Sequence, residues 1–441
     1  MDLLLRNAML LGKSTPSDIA ITGDRITSIT ATKGKGASAT EVIDLEGRLV
    51  TGPLVEPHIH MDAVLTVGQP RNNVSGTLFE GIAIWGERVK TLTVDDVIER
   101  GREVMTWQLA CGVQHVRSHV DVCDPELTAL EGLSVVREEM RGVVDLQLVA
   151  FPQQGIFGFK GGPGLMRSAV ERGADVVGGI PHFELTRDEG VESVKFVFDL
   201  AEEAGLQIDI HCDETDDDHS RFVEVMVSET IRRGMSGRVT ASHTTAMHSY
   251  NNAYANRLIT NIQRAGLHMI TNPLDSSVLQ GRFDSGPIRR GHTRFKEMWA
   301  AGVNVSIGHD SVMDPWYPLG YGDPLQAAFV LVHYGHMSGA KEMPYLFEMI
   351  TTNPAKALGV DSRGIRKGGP ADIVVFDAPT PEDALRRVTP RFLVMRDGKI
   401  VARTKPSETT VTINGKTRPV TFLRPSHARS PLRTGRNGDF G

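Results

Sequence analysis

Short runs in which apolar and polar residues alternate mark both ends of the chain, whereas between residues 51 and 364 strand-like runs trade places with runs at helical spacing. Near the N-terminal end, residues 18–21, 25–29 and 41–45 read as strands, with Gly23-Asp24 as a hairpin turn and Gly34 and Gly36 marking a loop. The same pattern returns at 372–376, 392–395 and 399–401, around an Asp397-Gly398 turn. Residues 1–50 and 365–420 are therefore expected to pair into one small β-sandwich beside the central segment.

Within 51–364 the pattern predicts eight strands. The first ends at His58 and His60, and the others cover 113–119, 143–151, 174–180, 206–211, 238–243, 268–272 and 303–308. A helix is expected over 93–110, where Val97, Ile98, Val104, Met105 and Leu109 recur at helical spacing. Thr93 is its N-cap, with Asp96 three residues on, and Gly112 ends it. Further helices are expected over 191–204 and 221–233. Eight strands alternating with helices predict an α/β fold, a (β/α)8 TIM-type barrel, with a doubly wound sheet as the second choice. Residues 421–441, rich in Pro, Ser, Gly and Arg, read as a disordered tail.

The 441 residues suffice for a barrel of about 250 residues plus a smaller unit. A net charge of -6 gives no general attraction to nucleic acid or anionic membrane, so the expected partner is a small molecule. No apolar run is long enough to span a bilayer. The three cysteines, Cys111, Cys123 and Cys212, form no C-x-x-C pair, which argues against a disulfide framework and suits the cytoplasm.

Strand ends are where a barrel carries chemistry, and here they carry metal-binding side chains. His58 and His60 share one face of a strand by its period of two. The fifth strand ends in His211, the sixth in His243, and the eighth in His309-Asp310. His58, His60, His211 and Asp310 together offer three nitrogens and one oxygen to a single divalent ion, with room for water. A second ion would need a bridging group such as a carboxylated lysine on the fourth strand, and 174–184 holds no lysine. Glu214 stands three residues beyond His211. It reaches the site as a proton shuttle only if the strand stops and turns at Cys212; otherwise it joins the solvated acidic run Asp216, Asp217 and Asp218. His182, His219 and His248 read as structural.

At these residues the chain closely resembles the bacterial cytosine deaminases of the amidohydrolase superfamily. The strings that carry the likeness are 55–60 (VEPHIH), 68–70 (GQP), 75–81 (SGTLFEG), 149–153 (VAFPQ), 208–214 (IDIHCDE), 239–250 (VTASHTTAMHSY) and 314–320 (DPWYPLG), with the looser 352–359 (TNPAKALG). The resemblance implies that His58, His60, His211 and Asp310 bind one zinc or iron ion. It implies further that Gln153 hydrogen-bonds the amide edge of a pyrimidine, Glu214 protonates ring nitrogen N3, His243 orients and deprotonates the attacking water, and Trp316 walls the pocket. Asp310 or His243 would relay the proton that lets ammonia leave. A homo-oligomer is implied as well.

One position departs from the family. Such deaminases read Gly-His-Asp-Asp at the eighth strand, but here the run is Gly308-His309-Asp310-Ser311. The family's second carboxylate lies beside pyrimidine C5, so Ser311 is expected to open space there for a 5-substituent. The expected reaction is deamination of 5-methylcytosine to thymine and ammonia, with 5-fluorocytosine and cytosine as further substrates. Plain cytosine deamination is the nearest alternative. Cyclic amide hydrolysis is disfavoured by the missing lysine, and a non-catalytic metal-binding protein would leave Gln153 and Glu214 incidental.

Overall fold

The computed structural model describes residues 1–32, 39–289, 291–361 and 363–422. The loop expected at Gly34 and Gly36, and the tail expected at 421–441 except its first two residues, lie outside the described residues.

Eight parallel strands form the central sheet: Leu54–Ile59, Val113–Asp121, Asp145–Phe151, Val176–Gly179, Gln207–Cys212, Val239–His243, His268–Thr271 and Asn304–Ile307. Each pairs with the next in chain order. The ring closes where Asp310 N donates to His58 O at 2.9 Å and His60 N donates to Asp310 O at 3.2 Å. This is the expected (β/α)8 barrel. Its strands are buried along almost their whole length, packed against the surrounding helices by Val, Ile, Leu and Met side chains. Gly178 in the short fourth strand is required by that packing, because a Cβ there would lie 2.7 Å from Ala150 O.

The helix Val94–Ala110 follows its expected bounds, with Thr93 Oγ1 accepting from Asp96 N. The helix expected over 191–204 starts earlier, as Arg187–Ala204, because Thr186 and Glu189 form a capping box that the apolar spacing alone does not reveal. In the long stretch after His60 lies a further helix, Leu78–Arg88, capped by Thr77.

The chain ends meet in a second sheet system. Leu49–Thr51 pairs antiparallel with Ile373–Phe376, which pairs in turn with Arg391–Arg396. Leu3–Leu10, which the alternation rule did not single out, is the central strand: it pairs with Ser17–Thr22, Glu41–Asp44 and Leu49–Thr51. Leu3, Leu4 and Leu5 are all buried. A strand covered on both faces shows a continuous apolar run instead of alternation. Leu5, Ile19, Ile21, Ile26, Val375, Leu393 and Met395 belong to the apolar core of this unit. The hairpin Thr409–Ile413 with Lys416–Val420 falls inside the segment expected to join the sandwich, yet among the described residues it pairs only with itself around Asn414 and Gly415, both at positive φ. Among the described residues no helix is long and apolar enough to cross a membrane.

Candidate metal and substrate site

Three strand ends are redirected by a left-handed backbone. Asp213 (φ +52°), His243 (φ +66°) and Asp310 (φ +70°) each leave the strand conformation where the site begins. Each such residue costs about 1 kcal/mol or more, and surrounding contacts must hold it there. At Asp213 the carboxylate accepts from Phe222 N (2.9 Å), Val223 N (3.0 Å) and Ser220 Oγ (2.7 Å), so it also satisfies the start of the next helix. The chain therefore does stop and turn just after Cys212, and Glu214 is buried at the site instead of joining the exposed Asp217 and Asp218. At the barrel seam, buried Glu56 accepts from both His58 N and His309 N at 3.0 Å, tying the first strand to the eighth. Gly308 beside it leaves no room for a side chain, since a Cβ would lie 2.4 Å from Asn272 Oδ1.

The structure brings His58, His60, His211, His243, Glu214 and Asp310 together. His58 Nε2 and His60 Nε2 each lie 3.5 Å from Asp310 Oδ1. His60 Nε2 approaches His211 Nε2 to 3.1 Å. His243 Nδ1 is 3.4 Å from Glu214 Oε1, and its Nε2 is 3.8 Å from Asp310 Oδ2. Burial pushes His58 down to about 3, helped by the positive charge of Arg117; burial pushes His60 to about 4 and holds His211 and His243 well below the usual range. Neutral imidazoles with converging lone pairs are the ligand form. His58 Nε2 has no hydrogen-bond partner among the described residues. Two sets of three groups, His58 with His60 and Asp310, and His58 with His211 and His243, each have ligand atoms within 4.8 Å of one another. These residues fit a divalent ion.

A third such set, His58 with His119 and Asp209, lies deeper in the barrel. There Arg117 Nη1 is 3.1 Å from Asp209 Oδ2, and a buried guanidinium disfavours a second cation. Asp209 serves the first site instead. Ser242 Oγ donates to Asp209 Oδ1 at 2.7 Å and so accepts from His58 Nδ1 at 3.0 Å, which fixes the His58 tautomer with its lone pair on Nε2. Ser242→Ala is expected to weaken divalent-metal affinity about 10- to 100-fold, read by competition with a chelator. Unchanged affinity would remove this role.

Beside the histidines a narrow recess of about 20 Å³ is lined by Gln153, Glu214, His243, Asp275, Asp310, Ser311 and Trp316 among others. It shares Leu78, Gln153, Glu214 and Leu279 with a larger, mainly apolar cavity of about 270 Å³. The Trp316 ring packs 6.0 Å from His60 and 6.2 Å from Trp85 between ring centres. Gly81 is what lets it lie there, as a Cβ would meet Trp316 Cδ1 at 2.4 Å. Glu214 is pushed well above the usual carboxyl range by burial and then by Asp310. His219 and His248 are exposed, and His182 lines the larger cavity. Four groups were missed by the sequence reading: His119, Asp209, Ser242 and Asp275. His119 does end an expected strand, and Asp209 stands two residues before His211 on the same strand face, so those two carried a signal.

A model for the amidohydrolase family matches residues 41–402. The solved structure of a 5-methylcytosine deaminase from Klebsiella pneumoniae, liganded with 5-fluorocytosine, is 44% identical at a TM-score of 0.89, covering 92% of this chain and 98% of that one. An N-isopropylammelide isopropyl amidohydrolase from Pseudomonas sp. strain ADP is 29% identical, over 91% of this chain and 97% of the relative. A pterin deaminase from Rhizobium rhizogenes is 27% identical, over 82% of this chain and 83% of the relative.

Proposed function

The chain belongs to the amidohydrolase family, and from that premise we propose that it deaminates a free cytosine base at C4, with 5-methylcytosine, converted to thymine and ammonia, as its preferred substrate. The observation that carries the reading is Ser311. It lines the recess on the same wall as Asp310, and its hydroxyl is turned onto Asp275 at 2.7 Å, so neither charge nor bulk projects from position 311 toward a pyrimidine C5. The likeness to a 5-methylcytosine deaminase supports the same base.

His58, His60, His211 and Asp310 would hold one divalent ion, zinc or iron. Such an ion supplies a water ionised near neutral pH. Everything else falls to the chain's own groups. Gln153, whose side chain faces both the recess and the larger cavity, would take the amide edge of the ring. Glu214, kept protonated by burial, would deliver its proton to N3 as the ring gains electron density. His243, between Glu214 and Asp310, would orient the attacking water, and His243 or Asp310 would pass a proton to the departing amine. Trp316 would exclude solvent from one side.

The test is ammonia release from metal-replete protein with 5-methylcytosine, 5-fluorocytosine and cytosine in parallel, compared as kcat/KM. We expect the methylated base to lead. Rejection of the methylated base, with cytosine turned over, would mean ordinary cytosine deamination. No release from any pyrimidine would sink the deaminase reading.

A further inference from the structure

We infer that Asp275 is a substrate-contacting residue of this site, recognising the exocyclic amino group of the base, and that Ser311 is the side chain that holds it in place. Asp275 lies in the first turn of the helix Pro273–Leu279, two residues past Pro273, and close behind the seventh barrel strand. An acid at that position would ordinarily sit in solvent near the helix N-terminus. Here it is 2% exposed and lines the recess beside the metal-binding cluster. Ser311 Oγ donates to its Oδ2 at 2.7 Å, while its Oδ1, buried, has no hydrogen-bond partner among the described residues.

A buried carboxyl oxygen left without a partner costs of order 1 to 3 kcal/mol unless a ligand or water satisfies it. The surroundings sharpen the point, for Asp310 and Asp314 both add negative potential at Asp275. Such a group calls for a donor. The reading under Proposed function, on which this inference rests, sets Gln153 and Glu214 along the amide edge and Ser311 at C5. The 4-amino group then falls between Glu214 and Ser311, where Asp275 waits with its free Oδ1. The amino group has hydrogens to donate there, and the oxo group of the product has none. Whether Asp275 is ionised or carries a proton shared between Oδ2 and Ser311, Oδ1 stays an acceptor. Position 311 thereby acquires a second role: its hydroxyl both vacates the C5 corner and aims the neighbouring carboxyl.

The experiment compares wild type, Asp275→Ala and Asp275→Asn in turnover of 5-methylcytosine and in inhibition by thymine, with thermal melting as the check on folding. Asp275→Ala is expected to lower kcat/KM for the amino base about 10- to 100-fold, the worth of one buried hydrogen bond to a charged or polarised group, while the thymine inhibition constant moves less than about threefold. Asp275→Asn, which keeps an acceptor oxygen, is expected to recover most of the loss. Equal changes toward amino base and product, or no change in Asp275→Ala, would overturn the assignment while wild type remains a working deaminase. A wild type inert toward every aminopyrimidine would overturn both this inference and the function it rests on.

Discussion

Glu214→Gln is expected to lower kcat for ammonia release about 10²- to 10⁴-fold, with KM within a few-fold of wild type, because it removes a proton transfer and keeps a hydrogen-bond donor of the same shape. The position of Glu214 explains why the loss should fall on kcat. The residue is 6% exposed, its carboxyl lies 3.4 Å from the His243 ring, and burial, then the nearby Asp310, favours the protonated form. The protonated acid can hydrogen-bond the ring in the ground state, and so can glutamine. Only the acid can surrender the proton as charge develops. The melting temperature should not fall, since the substitution takes one ionisable carboxyl out of a cluster that already holds Asp275, Asp310 and Asp314. Steady-state kinetics with a coupled ammonia assay decides it. A variant with raised KM and wild-type kcat would make Glu214 a binding group only.

The barrel was legible because each strand is a short apolar run, several of them with a histidine or acid at or just beyond the end, and eight such runs in order leave few alternatives. What alternation misjudges is direction at the strand ends. Ser242 points inward to Asp209 and His58, so the alternation rule would send His243 outward. The positive φ at His243 breaks the alternation and returns the ring to the site. The same device at Asp213 delivers Glu214, which by period two belongs on the wrong face. Asn, Asp and His occupy this conformation more often than most residues, so Asp213, His243 and Asp310 are all chemically apt for it. Asp275 was illegible for another reason. An acid in a helix first turn is ordinary on any surface helix, and only the closure of the barrel turns this one toward Ser311.

Those geometric relations give Ser311→Asp its expected effect, a fall of about 10²-fold or more in kcat/KM for 5-methylcytosine with cytosine held within about 10-fold. Two losses add for the methylated base. A methyl in a fitted apolar corner contributes about 1 to 3 kcal/mol of transition-state binding, and forcing it against added side-chain atoms costs a further 1 to 3 kcal/mol or so. Cytosine suffers neither. Both bases share a third effect, because an ionised aspartate cannot donate to Asp275 as the serine hydroxyl does and repels Asp275, Asp310 and Asp314, and it escapes both only by taking up a proton. That shared effect lowers both rates together and cancels in their ratio, which is why the ratio is the quantity to measure. Ser311→Ala separates the parts. It leaves the C5 corner open and frees Asp275, so preference for the methylated base should survive while turnover of both bases drops. If Ser311→Asp depresses both bases equally, the space at C5 is set by other walls, and Ser311 acts here only through the carboxyl it orients.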